Sequence, residues 1–251
     1  MIHSFLMVGQ SNMAGRGFPA DVEPIKNNKV VVMRNGIFRP MYVPVNPDRS
    51  FSGVSLAESF ADAYQRETGI DTGLIPCADG GTSLDLWKEG AILFDHACCM
   101  AELAARSSEI KAILWHQGEA DCAEARYPFY GERLAAMLEA FRRHLGRPDI
   151  PIILGGLGDF LPQCAALSGA KNYVHINKAL EEVAAATPNC AFVPATGLDS
   201  NPDHLHFCSA SLREFGLRYY EAYKQLAGGV SSAESANKPT EEHVATKLEL
   251  L

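Results

Sequence analysis

Four short segments of this sequence carry residues suited to acyl transfer through a serine. Gly9-Gln10-Ser11-Asn12 places a hydroxyl two residues behind a glycine, which lets the backbone turn tightly. Asp203-His204-Leu205-His206 sets a carboxylate three residues before an imidazole. On a turn, that spacing brings the carboxylate to Nδ1 and leaves Nε2 free to take a proton from a hydroxyl. Gly80-Gly81 permits close backbone approach to a ligand, and Gln117 carries a neutral amide donor. A serine acyl-transfer site needs these four parts: a nucleophile (Ser11), a base (His206), an orienting acid (Asp203) and oxyanion donors, here Gly81 and the Gln117 amide. Each segment also has a plainer explanation. Ser11 suits a helix cap, the Asp-x-x-His spacing a surface turn, the glycines a turn, and Gln117 a hydrogen bond at a sheet end.

The elements that would position these residues alternate along the chain. Candidate strands are Ile2–Val8, Val30–Met33, Gly73–Cys77, Ala112–His116, Ile152–Gly155 and Ala191–Pro194, several of them continuous apolar runs of the kind covered on both faces. Between them lie helical patterns. Leu56, Phe60, Ala63 and Tyr64 share one face after Ser55, and Leu134, Met137, Leu138 and Phe141 recur at helical spacing before Gly146 and Pro148. Further helices are predicted over Tyr173–Ala186 and Ser209–Leu226. Alternation of this kind predicts a mainly parallel sheet with helices on both faces, with the working residues at the carboxyl ends of strands. Ser11, Gly80-Gly81 and Gln117 all fall at such ends, and His206 follows the last strand. Residues 34–54, with Pro40, Pro44 and Pro47, read as an irregular excursion forming a wall of the cleft. One domain is expected over 1–228, with 229–251 a small, polar, flexible tail.

In combination the segments are far more specific than any one alone. Gly9-Gln10-Ser11-Asn12-Met13-Ala14-Gly15-Arg16-Gly17, Gly80-Gly81-Thr82-Ser83-Leu84 with Trp87, Trp115-His116-Gln117-Gly118-Glu119-Ala120-Asp121, and Asp203-His204-Leu205-His206 resemble, in order, the motifs of the SGNH hydrolases. Within these the sequence is similar to the carbohydrate esterases related to sialate O-acetylesterase and acetylxylan esterase. The resemblance implies a three-layer α/β/α sandwich with a five-stranded parallel sheet. It also implies Ser11, His206 and Asp203 as the catalytic triad, and Ser11, Gly81 and Gln117 as the oxyanion hole. The expected substrate is a small acetylated sugar or oligosaccharide, and no cofactor is expected. Gln10, Asn12, Arg16 and Glu119 are further candidates for substrate contact or for supporting the catalytic residues. Glu119 is expected to accept backbone N–H bonds in the oxyanion loop, and Arg16 either to brace Glu119 or to meet an anionic substrate. Gln117 follows this branch where the wider superfamily has Asn. Ala120 departs from the Ser usual there.

Composition narrows the alternatives. The chain has 251 residues, 47% hydrophobic and 21% charged, enough for one substantial core. Its net charge of −8 speaks against a nucleic-acid partner. No apolar run reaches the ~20 residues of a membrane span. The N-terminal Met1–Val8 run reads as a buried strand, and the seven cysteines as free thiols, which together point to the cytoplasm. The strongest chemical rival is a metal site using His116, Cys122, His204 and His206, although no typical ligand spacing is present. Glu119 and Asp121 form a possible glycosidase-type carboxylate pair. A glycan-binding protein without turnover, and a lipase- or thioesterase-type hydrolase, complete the alternatives.

Overall fold

Strand β1 (Ile2–Gly9) runs through the middle of a seven-stranded sheet and is buried from Ser4 onward, as its unbroken apolar run requires. The computed structural model describes residues 1–236. The other strands are β2 (Val30–Arg34), β3 (Ile37–Pro40), β4 (Thr72–Pro76), β5 (Ser108–His116), β6 (Ile152–Gly155) and β7 (Cys190–Val193), in the order β3-β2-β4-β1-β5-β6-β7. Every neighbouring pair is parallel except β2–β3. All six candidate strands are present, with shifts at their ends. The sheet nonetheless has seven strands, not five. The seventh, β3, lies inside the segment read as irregular. Asn35 and Gly36 have positive φ (50° and 77°) and form the two-residue turn that folds Ile37–Pro40 back on β2. Asn-Gly is a strong hairpin signal, and here it sat among prolines that pointed to a loop.

The helices are α1 (Ser11–Ala14), α2 (Leu56–Thr68), α3 (Ile92–Ala105), α4 (Tyr130–His144), α5 (Tyr173–Ala186) and α6 (Ser209–Ala236). Helices α2 and α6 pack together on one face of the sheet, while α3, α4 and α5 adjoin one another on the other, completing the expected three-layer sandwich. Helix α2 starts at a capping box: the Ser55 hydroxyl accepts from Ala57 N–H, and Glu58 reaches back to the Ser55 N–H. The same Ser55 hydroxyl donates to the Met13 carbonyl at 2.7 Å, tying α2 to the short helix that carries Ser11. On the α2/α6 face, Phe5 meets Phe60, Tyr64 and Tyr223 edge to face. Trp87 and Trp115 meet in the same way elsewhere in the core.

All seven cysteines are free, with Cys77, Cys98, Cys122 and Cys164 buried. No helix among the described residues is long and apolar enough to cross a membrane. Of the tail expected over 229–251, residues 237–251 lie outside the described residues.

Because β1 lies between β4 and β5, the chain leaves it on one side of the sheet and later crosses to the other. A crevice opens where neighbouring connections part in this way. The carboxyl ends of β4, β1 and β5 carry Gly80-Gly81, Ser11 and Gln117.

Candidate active site

The position of Ser11, the candidate nucleophile, depends on a glycine. At Gly9, with φ 127°, a Cβ would stand 2.1 Å from the His116 carbonyl oxygen, so only glycine lets the end of β1 lie this close to β5. The neighbouring strands are fastened to this end: Gln10 N–H donates to the His116 carbonyl and Asp79 N–H to the Gly9 carbonyl. Ser11 follows as the first residue of α1, and its Oγ lies 2.9 Å from His206 Nε2.

His206 comes from the loop between β7 and α6. Asp203 Oδ1 accepts from the Leu205 and His206 N–H groups at 2.9 and 3.0 Å, while Oδ2 lies 2.7 Å from His206 Nδ1. The three-residue spacing therefore closes into a turn in which one carboxylate organises both the backbone and the ring. Partial burial opposes ionisation of Asp203, yet these hydrogen bonds hold its carboxyl below the usual carboxylate range. A carboxylate on Nδ1 makes that atom the proton carrier and turns the Nε2 lone pair toward Ser11. His204, with φ 51°, faces Ser200 Oγ instead.

Asn12 and Glu119 support this arrangement from behind. Asn12 Nδ2 donates to Glu119 Oε1 at 2.6 Å and to the Leu205 carbonyl at 3.2 Å, and Asn12 Oδ1 accepts from Phe207 N–H at 3.1 Å. One side chain, adjacent to the nucleophile, thus holds both residues flanking His206. Glu119 fixes which way the Asn12 amide faces. Glu119 was expected to take backbone N–H bonds in the oxyanion loop; its hydrogen-bonded partner is this amide. Gln10 Oε1 accepts from Ala120 N–H at 3.4 Å.

The Gly80-Gly81 turn presses against Ser11 from the other side. A Cβ on Gly80 would lie 2.5 Å from Arg16 Nη2, 3.0 Å from Asp48 Oδ2 and 3.4 Å from Ser11 Cβ. Gly80 N–H is taken by Asp48 Oδ2 at 2.9 Å. The N–H groups of Ser11 and Gly81 have no backbone acceptor among the described residues. Gln117 does not join them. Its Nε2 donates to the Thr82 carbonyl at 2.9 Å and to Asp121 Oδ2 at 2.6 Å, and its side chain is fully buried away from the cavity. Asp121 also accepts from Leu84 N–H, so Gln117 and Asp121 together fasten the segment after the glycines. Burial raises the Asp121 carboxyl despite these bonds. A glycosidase-type pair is not formed, because Glu119 and Asp121 are turned toward different internal partners.

Arg16 does not brace Glu119. It pairs with Asp48, Nη1 to Oδ1 at 2.9 Å and Nη2 to Oδ2 at 2.7 Å, with both side chains only 5% exposed. Burial disfavours the Asp48 carboxylate, but Arg16, Ser52 and the Gly80 N–H outweigh that and hold its pKa low. Arg49 Nη2 donates to the Gly80 carbonyl at 2.9 Å and pairs with Asp79 at 2.7 Å. Sequence reasoning missed Asp48, Arg49 and Phe51. Their segment was read as a cleft wall, but nothing local marked these three. The residues of the alternative metal set do not converge among the described residues. His116 Nε2 meets the Gly156 carbonyl, Cys122 Sγ the Gly118 carbonyl, His204 meets Ser200, and His206 faces Ser11.

The result is a cavity of about 370 Å³ lined by Ser11, His206, Gly80, Gly81, Gln10, Glu119, Ala120, Arg16, Arg49, Phe51, Leu167 and Leu205. Its size suits a small ligand. A serine paired with an imidazole at the carboxyl edge of a mostly parallel sheet is an arrangement found in serine hydrolases. The chain belongs to the family described as carbohydrate esterase, sialic acid-specific acetylesterase, whose model matches residues 1–225. It is 28% identical over 246 residues to a probable carbohydrate esterase of Arabidopsis thaliana, covering 87% of this chain and 89% of the relative. A solved structure of an Arabidopsis thaliana protein superposes with a TM-score of 0.79 at 26% identity, covering 89% of this chain and 98% of that one. A carbohydrate acetylesterase from Xanthomonas citri shares the fold, with a TM-score of 0.68 at 17% identity, covering 91% of this chain and 57% of that one. The chain is thus an esterase of the carbohydrate-directed class.

Proposed function

We propose that this protein removes acetyl groups from sugar hydroxyls through an acyl-enzyme on Ser11. The observation that carries the proposal is the continuous line from Asp203 Oδ2 through His206 to Ser11 Oγ, with links of 2.7 and 2.9 Å. As Ser11 Oγ bonds to the ester carbonyl carbon, its proton passes to His206 Nε2. The carbonyl oxygen, now negative, takes hydrogen bonds from the Ser11 and Gly81 N–H groups. The C–O bond to the sugar breaks, and Nε2 returns the proton to the departing sugar oxygen. Water, giving its proton to His206 Nε2, then attacks the acetyl carbonyl carbon; as the bond to Ser11 Oγ breaks, Nε2 returns that proton to Oγ and acetate leaves. Each step is complete without a metal or organic cofactor.

A small acyl group is supported by what surrounds Ser11: Gly80, Gly81 and Ala120 are small. The family description and the acetylesterase relative support acetyl on a carbohydrate. The test is hydrolysis of a small chromogenic acetate ester by the wild type and by Ser11→Ala. The variant is expected to lose at least a thousandfold in kcat. Equal rates would refute the nucleophile.

A further inference from the structure

We infer that Phe51 is the platform on which the sugar ring of the substrate stacks. The inference deepens the esterase reading and rests on it. Phe51 lines the cavity that contains Ser11 and is 68% exposed, so its ring is accessible to a ligand entering there. Its other surroundings explain the position. The Arg16 guanidinium lies 5.3 Å from the ring centroid, over one face. Arg16 is itself locked by two hydrogen bonds to Asp48, so that face is covered by a fixed group.

The loop carrying Phe51 is fixed as well. Ser52 Oγ donates to Asp48 Oδ1 at 2.7 Å and accepts from Arg49 N–H at 3.0 Å, and Gly53 N–H donates to the Gly15 carbonyl at 3.1 Å. The backbone that carries the ring is therefore held before any ligand arrives, which reduces the entropy lost on binding. An aromatic face carries partial negative charge, and a pyranose presents a face of weakly positive C–H groups. The two also exclude water from each other when they meet.

Charge complementarity offers no competing explanation for this wall. Arg16 is paired with Asp48 and Arg49 with Asp79, leaving neither guanidinium without a carboxylate. The side wall beside Ser11 is therefore suited to an uncharged ring more than to an acidic one.

The test compares two acetate esters, a monoacetylated methyl pyranoside and ethyl acetate, which has no ring, across wild type, F51A, F51L and F51W. The expected result is that F51A lowers kcat/KM on the sugar ester about tenfold more than on ethyl acetate, mainly through KM. F51W should stay near the wild type and F51L should resemble F51A, because leucine keeps apolar area but loses the aromatic face. Equal losses on the two esters, or full activity of F51L on the sugar ester, would overturn the stacking role. Turnover of ethyl acetate that depends on Ser11, with no turnover of the sugar ester, would also overturn it while leaving the serine mechanism intact. Ethyl acetate turnover that survives Ser11→Ala would instead count against the esterase reading itself.

Discussion

On one side of Ser11, His206 is held within a single turn: Asp203 takes two backbone N–H groups and the ring from residues no more than three positions away. On the other side, Gly80 is held by Asp48, 32 residues distant in sequence, and Asp48 is held by Arg16 from the segment after the nucleophile. On the first side the ring is oriented locally, with the Asp203 side chain 47% exposed, although Asn12 ties the residues flanking His206 from afar; the second is assembled from remote parts and buried. The difference separates two tasks. The exposed turn orients a proton carrier and contributes little to holding the fold together. The buried ion pair carries no proton in the proposed reaction, but it fixes the turn proposed to supply an oxyanion donor.

Asp203→Asn breaks the first side and has the larger expected effect. Asparagine can donate to Nδ1, which leaves the proton on Nε2 and the imidazole in the wrong tautomer to accept from Ser11. A fall in kcat of about a thousandfold is expected. Because the carboxylate is half-exposed, thermal stability should hardly change. Steady-state kinetics beside a melting curve measures both, and a marked loss of stability with little loss of kcat would reverse the comparison.

Asp48→Asn breaks the second side, with an effect on stability that Asp203→Asn lacks. Leaving Arg16 buried without its carboxylate should cost about 3 kcal/mol of stability. The pH dependence sharpens the point. The Asp48 carboxyl has a lower pKa in the folded protein than in the unfolded chain, where carboxylates titrate near ~4. Its contribution is therefore complete above that value and is lost as pH falls through the lower native one. The gap in Tm between wild type and Asp48→Asn should stay constant from neutral pH down to about 4 and narrow below it. A gap that widens on acidification would contradict the ion-pair account.

The same contrast explains what could be read from the sequence. Ser11 and the Asp203/His206 pair were singled out only by the combination of four segments in the order of one hydrolase family, since a strand-end serine and a three-residue Asp-x-x-His turn each have plainer explanations alone. The strands themselves were legible because buried parallel strands are continuous apolar runs. The direction of the Gln117 amide was not, because it depends on the Thr82 carbonyl and the Asp121 carboxylate arriving from elsewhere. Glu119 was placed correctly beside the site, but its partner was the side chain of Asn12, a contact spanning 107 positions. Asp48, Arg49 and Phe51 were invisible for the same reason: their roles exist only once the 41–54 segment lies against Arg16 and Gly80. Strand β3 is a different case, since Asn35-Gly36 carried a local signal that the surrounding prolines obscured.

The central claim is that Ser11 is the atom acylated during turnover. A fluorophosphonate that phosphonylates activated serines tests it directly, with peptide mass mapping and residual esterase activity followed together. The account predicts one adduct per chain, on the peptide containing Ser11, with activity lost in proportion to labelling. Full activity in a protein phosphonylated at Ser11, or inactivation with the adduct on another residue, would contradict it.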